Sequence, residues 1–166
     1  MFWIHSGIVT FGHINFIFEH IEKHGVWLTE DEGLVNHNFT QILCQQIMNV
    51  TDKELEGNQL LAGLTGFNKK QSLFLLHQRC EYCLVKECVT GIHWLKEPMP
   101  MLSNGKQYVL YGHRHDQSIL SILLIRCSLP TVLKTWQLYE FRSLEHINQN
   151  NSLFYNHHGN YINFQP

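Results

Sequence analysis

At 166 residues, 44% hydrophobic and 16% charged, with a formal net charge of -2, the chain has the length of one domain and enough apolar surface to bury a core. That balance excludes a disordered segment and a strongly basic nucleic-acid binder. Five cysteines, with Cys80, Cys83 and Cys88 crowded together, suit reduced thiols better than a disulfide framework, so the expected compartment is reducing and cytoplasmic.

The opening apolar stretch lacks a cationic start and is broken by His5 and His13, which argues against a secretory leader. Asn38, Asn49 and Asn150 each head an N-x-S/T triplet, so a secretory lumen stays open. The longest apolar run, around Ile119 to Ile125, is too short to span a bilayer.

Phe2 to His5 reads as a buried strand closing on Ser6 and Gly7. Phe11, Ile14, Ile17, Phe18 and Ile21 recur at helical spacing, with Gly25 as the stop. Val26 to Leu28 forms a second strand, and Thr29 to Gly33 an acidic loop. Phe39 to Met48 is weakly helical, and Thr51-Asp52-Lys53-Glu54 has the form of a capping box. Leu60 to Phe67 predicts a central strand whose Gly63 and Gly66 permit close approach. From Gln71 the stripe Leu73, Leu76, Cys80, Cys83, Leu84, Cys88 predicts one long helix. Glu97 to Gly105 is expected to loop because of Pro98 and Pro100, and Tyr108 to Tyr111 to form a short strand. His113 to Asp116 opens a helix that ends at Leu129-Pro130, and a further strand is expected at Leu138 to Phe141 before an Asn-rich tail. The predicted class is α/β, a mixed sheet flanked by helices, in a single domain over residues 1–166.

Four constellations hold chemistry. Cys80-x2-Cys83-x4-Cys88-x4-His93 imitates a zinc knuckle, yet on one helix Cys80 and Cys88 would stand about 12 Å apart along the axis, too far to share an ion. Small buried hydrophobes are the plainer reading. His113-Arg114-His115-Asp116-Gln117-Ser118 gathers polar groups at a helix start, where free N–H groups and the dipole orient ligands; the plainer reading is Asp116 as an N-cap. Asn58 to Phe67 sets two amides in an apolar strand, as sugar hydroxyls would want or as a core strand would tolerate. His5 and Ser6 lie beyond a strand end, where open α/β sheets bind ligands.

Three of these segments, in this order, resemble glycosyltransferases of A-type fold. Phe2-Trp3-Ile4-His5-Ser6-Gly7 resembles their W-I/L-D-S/A-G strand, Gln59-Leu60-Leu61-Ala62-Gly63-Leu64 their amide-then-Ala-Gly strand, and His113 to Ser118 their H-R-x-D-Q-S helix start. The resemblance covers residues 2 to 160 and implies a partial nucleotide-diphospho-sugar transferase fold. It implies sugar transfer from a nucleotide-sugar donor to a glycan or other hydroxyl acceptor. Asp116 would serve catalysis, and Asn58, Gln59, Ala62, Gly63, His113, His115 and Gln117 would bind substrate. A divalent metal, Mn²⁺ or Mg²⁺, is implied near His5 and His157. Two departures stand out. His5 replaces the family's Asp and adds no negative charge to a hard-cation site, and only one residue precedes Phe2, so the nucleotide-binding half is expected to be truncated or to exist as a separate N-terminal half.

The expectation is thus a glycosyltransferase-like protein. A non-catalytic sugar-binding or interaction remnant is the alternative that His5 and the missing front half favour. A Cys/His metal-binding module is the third class.

Overall fold

The computed structural model describes residues 1–4, 8–10, 14–91, 96–131, 139–140, 152–156 and 161–163. They form an α/β protein dividing into two compact units, Met1–Asp31, Leu61–Ser72 and Pro130–Pro166 in the first and Glu32–Leu60 and Leu73–Leu129 in the second. Among the described residues no helix is long and apolar enough to cross a membrane.

Strand β1 (Phe2–Ile4), in the first unit, pairs antiparallel with β4 (Asn58–Phe67), Phe2 opposite Gly66 and Ile4 opposite Leu64. With β3 (Val26–Val35) these strands form a sheet in the order β1-β4-β3. Strand β4 is therefore central, as its apolar sequence predicts. Strand β1 corrects the expectation of a strand covered on both faces. It lies at the end of the sheet, Trp3 is 60% exposed, and Phe2 packs edge-to-face on Phe18 at 6.0 Å. Its apolar run needs cover on one side only.

Helix α1 (Asn15–His24) buries Ile17 and Ile21. Gly25 ends it in the left-handed region (φ 82), donating its N–H to the Ile21 carbonyl at 2.8 Å; glycine takes that conformation without a Cβ penalty. The expected acidic loop after Leu28 is instead the continuation of β3 through Val35, because pairing in a sheet outweighs the weak strand preference of acidic residues. A second sheet, in the order β2-β8-β9-β7, joins β2 (Ile8–Thr10), β8 (Ser152–Asn156), β9 (Tyr161–Asn163) and β7 (Tyr139–Glu140) through antiparallel pairs. Part of the Asn-rich tail is thus strand.

The second unit is mostly helical. The weak helix over Phe39 to Met48 resolves into α2 (Asn36–Phe39) and α3 (Ile42–Ile47), broken at Thr40 and Gln41. Helix α4 (Asp52–Leu55) carries the capping box as read: Thr51 Oγ1 accepts from the Glu54 amide and the Glu54 carboxylate from the Thr51 amide. Glu54 also accepts from Arg126 Nε at 2.6 Å. The expected long helix is α5 (Leu73–Cys83) followed by α6 (Lys86–Val89). Its stripe marks the core only in part: Cys88 is buried as expected, but Leu73 is 59% and Leu84 87% exposed, and the buried leucine is Leu75, outside the stripe. Strand β5 (Glu97–Pro98) pairs with β6 (Val109–Leu110), so the expected loop begins two residues late. Proline is tolerated in such a two-residue edge pair. Helix α7 (His115–Arg126) is the centre of this unit, with Ile119, Leu120, Ile122, Leu123 and Leu124 buried.

Candidate functional site

The segment His113 to Ser118 forms the entry to α7, and four of its six side chains, those of His113, His115, Gln117 and Ser118, bond to the chain's own backbone. His113 is 1% exposed. Its Nε2 lies 2.7 Å from the Cys88 carbonyl and so carries the proton, and its Nδ1 accepts the Gln41 amide at 3.4 Å. Burial lowers its pKa, helped by His115 and opposed by backbone hydrogen bonds to Cys88 and Phe39. His115 Nδ1 donates to the Val89 carbonyl at 2.7 Å, and its backbone is left-handed (φ 51). Gln117 Nε2 donates to the Leu60 carbonyl at 2.6 Å and Ser118 Oγ to the Phe39 carbonyl at 2.6 Å. The Arg114 guanidinium stacks over the Phe39 ring, 4.4 Å from its centroid.

Asp116 stands in the first turn of α7 but does not cap it. Arg114 takes the N-cap position without a side-chain cap. Asp116 Oδ2 accepts from Arg79 Nη2 at 2.7 Å, and its side chain is 54% exposed.

The amide-bearing strand is β4. Gln59 is wholly buried; its Nε2 donates to Asn36 Oδ1 at 2.7 Å, and its Oε1 has no partner among the described residues. Asn58 is half-buried, Ala62 exposed and Gly63 half-buried. Asn58, Gln59, His113, His115, Asp116 and Gln117 belong to the second unit, and Ala62 and Gly63 to the first. His5 and His157 lie outside the described residues.

All five cysteines are free thiols. The expectation that Cys80, Cys83 and Cys88 share one helix is corrected, because the helix breaks after Cys83 and Cys88 lies on α6. Cys88 is buried and hydrogen-bonded to Cys44, which also contacts Met48 Sδ at 3.7 Å. Burial pushes both thiols up, so they pack as small protonated hydrophobes. His93, the last residue of the knuckle-like spacing, lies outside the described residues. Among the described residues no group of three or more His, Cys, Asp or Glu is placed to hold a metal.

Sequence reading passed over a cleft in the second unit with a volume of about 340 Å³, whose polar lining is His37, Gln45, Gln46, Asn49 and Asp52. His37 sits on α2, the two glutamines on α3 and Asp52 on α4. His37 is 1% exposed and stacks on Tyr108 with centroids 4.4 Å apart. Burial lowers its pKa against the opposing charge of Asp52, so the ring is neutral at pH 7. Its Nδ1 has no partner among the described residues. Asp52 Oδ2 accepts from the Ser103 hydroxyl and from its amide at 2.9 Å, and these bonds hold the carboxyl below its ordinary value. Only the Thr51–Glu54 capping box hinted at this region, and it marks a helix start rather than a site. Comparisons with family models, with curated proteins and with solved structures return no match to this chain.

Proposed function

We propose that the chain is a non-catalytic, sugar-binding protein bearing the strand and helix-start motifs of a glycosyltransferase. One observation carries this reading. The imidazoles, amide and hydroxyl of His113 to Ser118 are bonded to the carbonyls of Cys88, Val89, Leu60 and Phe39. A transferase would need such groups turned towards donor and acceptor. Committed to the backbone, they fix α7 in place, and Asp116 is neutralised by Arg79.

The active transferase is the second reading, and two features favour it. Asp116 keeps a half-exposed carboxylate, and the residue before it holds a left-handed backbone, a strained geometry often found at reacting sites. A general base must also reach the acceptor hydroxyl, and an exposed carboxylate can.

A panel of nucleotide-sugar donors, with Mn²⁺ or Mg²⁺ and simple glycan acceptors, separates the two. The expected result is no donor hydrolysis and no transfer. Turnover by the wild type that disappears in Asp116→Asn would replace this reading with the transferase.

A further inference from the structure

We infer that the cleft between α2, α3, α4 and the loop at residues 100–102 binds a neutral, polyhydroxylated ligand the size of one sugar ring. The site rests on the binding reading above and supplies its location and ligand class.

Size sets the first limit. About 340 Å³ is at the low end of small-molecule sites, which run from roughly 300 to 1,000 Å³, so a single ring fits better than a nucleotide sugar. Charge sets the second. Among the described residues no lysine or arginine lines the cleft, and the one formal charge there is the Asp52 carboxylate. A phosphate or diphosphate would enter without a counter-charge and against a like charge, which costs several-fold in affinity at least.

Hydrogen-bonding capacity then selects hydroxyls. Gln45 commits its Nε2 to the Thr40 carbonyl at 2.6 Å and retains its oxygen. The Gln46 and Asn49 side chains line the cleft and are exposed, and each amide both donates and accepts, as a hydroxyl does. His37 adds a neutral imidazole. Its ring is almost wholly buried, with an Nδ1 that has no partner among the described residues, so it lines the cleft floor without adding charge, and the amides carry the hydrogen bonding to the ligand. The remaining wall is apolar, with Val50, Leu55, Met101 and Leu102. Sugars present that mixture of a C–H face and a hydroxyl rim.

The test uses the full chain labelled with ¹⁵N and titrated with glucose, galactose, mannose and N-acetylglucosamine, with glucose 6-phosphate as the anionic probe. At least one neutral sugar is expected to give saturable amide shifts confined to residues 37–55 and 100–103, with no gain from the phosphate. Gln46→Ala and Asn49→Gly should each weaken that sugar five- to tenfold, the scale of one hydrogen bond. Glycine is chosen at position 49 because Asn49 has a left-handed backbone (φ 49), where alanine would add strain. The spectra themselves report whether each variant is folded. Shifts elsewhere, or unchanged affinity in both folded variants, would overturn the cleft and leave the binding reading standing. No saturable shift with any neutral sugar would overturn both, while the donor assay above decides catalysis on its own. Tighter binding of the phosphate would overturn the ligand class.

Discussion

Two polar-rich regions of the second unit make opposite use of their side chains. The entry to α7 packs two imidazoles, an amide and a hydroxyl into His113 to Ser118, and all of them bond to carbonyls of neighbouring elements. The cleft lined by α2, α3 and α4 is less dense in sequence, yet Gln46 and Asn49 line it with exposed side chains. A run of polar residues is therefore a poor sign of a binding site by itself. What a ligand can use is the donor or acceptor that the fold has left unspent, and that is visible only once backbone partners are known.

The contrast breaks most readily at His113. His113→Ala would leave the Cys88 carbonyl and the Gln41 amide unpaired inside the unit and open a cavity where the ring stood. The expected cost is about 3 kcal/mol, read from urea midpoints, with sugar binding in the cleft unchanged in the folded fraction. A loss below about 1 kcal/mol would mean that His113 is not structural and would return the segment to the list of binding groups.

Much of the local structure was legible in the residues. Gly25 stops α1, Thr51 and Glu54 close the capping box, and the unbroken apolar run of β4 places it centrally. These are signals settled within a few positions. Two failures share a different cause. The stripe expected over α5 is one of several that a weakly amphipathic helix allows, and tertiary packing buries Leu75 rather than Leu73. The cleft was illegible because its polar lining comes from three short helices and the turn after α3, each contributing one or two residues. No spacing rule links His37 to Asp52. The candidate residue Gln59 was found for its amide, but its role is to hold Asn36, which in turn donates to the Glu54 carbonyl at 2.9 Å.

Acid should weaken both regions together. His37 and His113 have pKa values lowered by burial, so between that lowered value and the ordinary value near 6.5 the unfolded chain binds more protons than the folded one. Stability is then complete above about pH 6.5 and falls as the pH drops below it, by up to about 1.4 kcal/mol per pH unit for each histidine. Glu54 adds nothing in this window. Burial raises its pKa, but the bonds from Arg126 and Thr51 outweigh that and leave it lowered, so its contribution is lost only at pH values below the ordinary carboxylate range. His20, in the first unit, is lowered likewise by burial, with His24 and Lys23 adding to it, so urea midpoints at pH 7.0 and 5.5 measure the effect of three rings and His113→Ala should reduce it by about a third. A midpoint that does not change between those pH values would show that none of the three rings is held neutral by the fold.

The smallest expected effect is at Asp116, and its smallness is what makes it informative. The carboxylate's bond to Arg79 joins side chains 54% and 28% exposed, and such pairs contribute roughly 0–1 kcal/mol because water screens them and two side chains must be ordered. Asp116 also lies in the first turn of α7, where a negative charge interacts with the helix dipole by about 0.3–1 kcal/mol. Asp116→Asn removes both terms and keeps the shape, so stability should fall by about 0.3–2 kcal/mol, towards the lower end because the pair is screened, and 1 M salt should shrink the difference further. A loss well above 2 kcal/mol that survives high salt would place Asp116 among the buried, committed groups of this segment, contrary to its exposure. A loss within the expected range, coupled with unchanged sugar binding and no turnover to lose, leaves Asp116 as a surface charge paired to Arg79, and the polar run at the start of α7 is then structural from end to end.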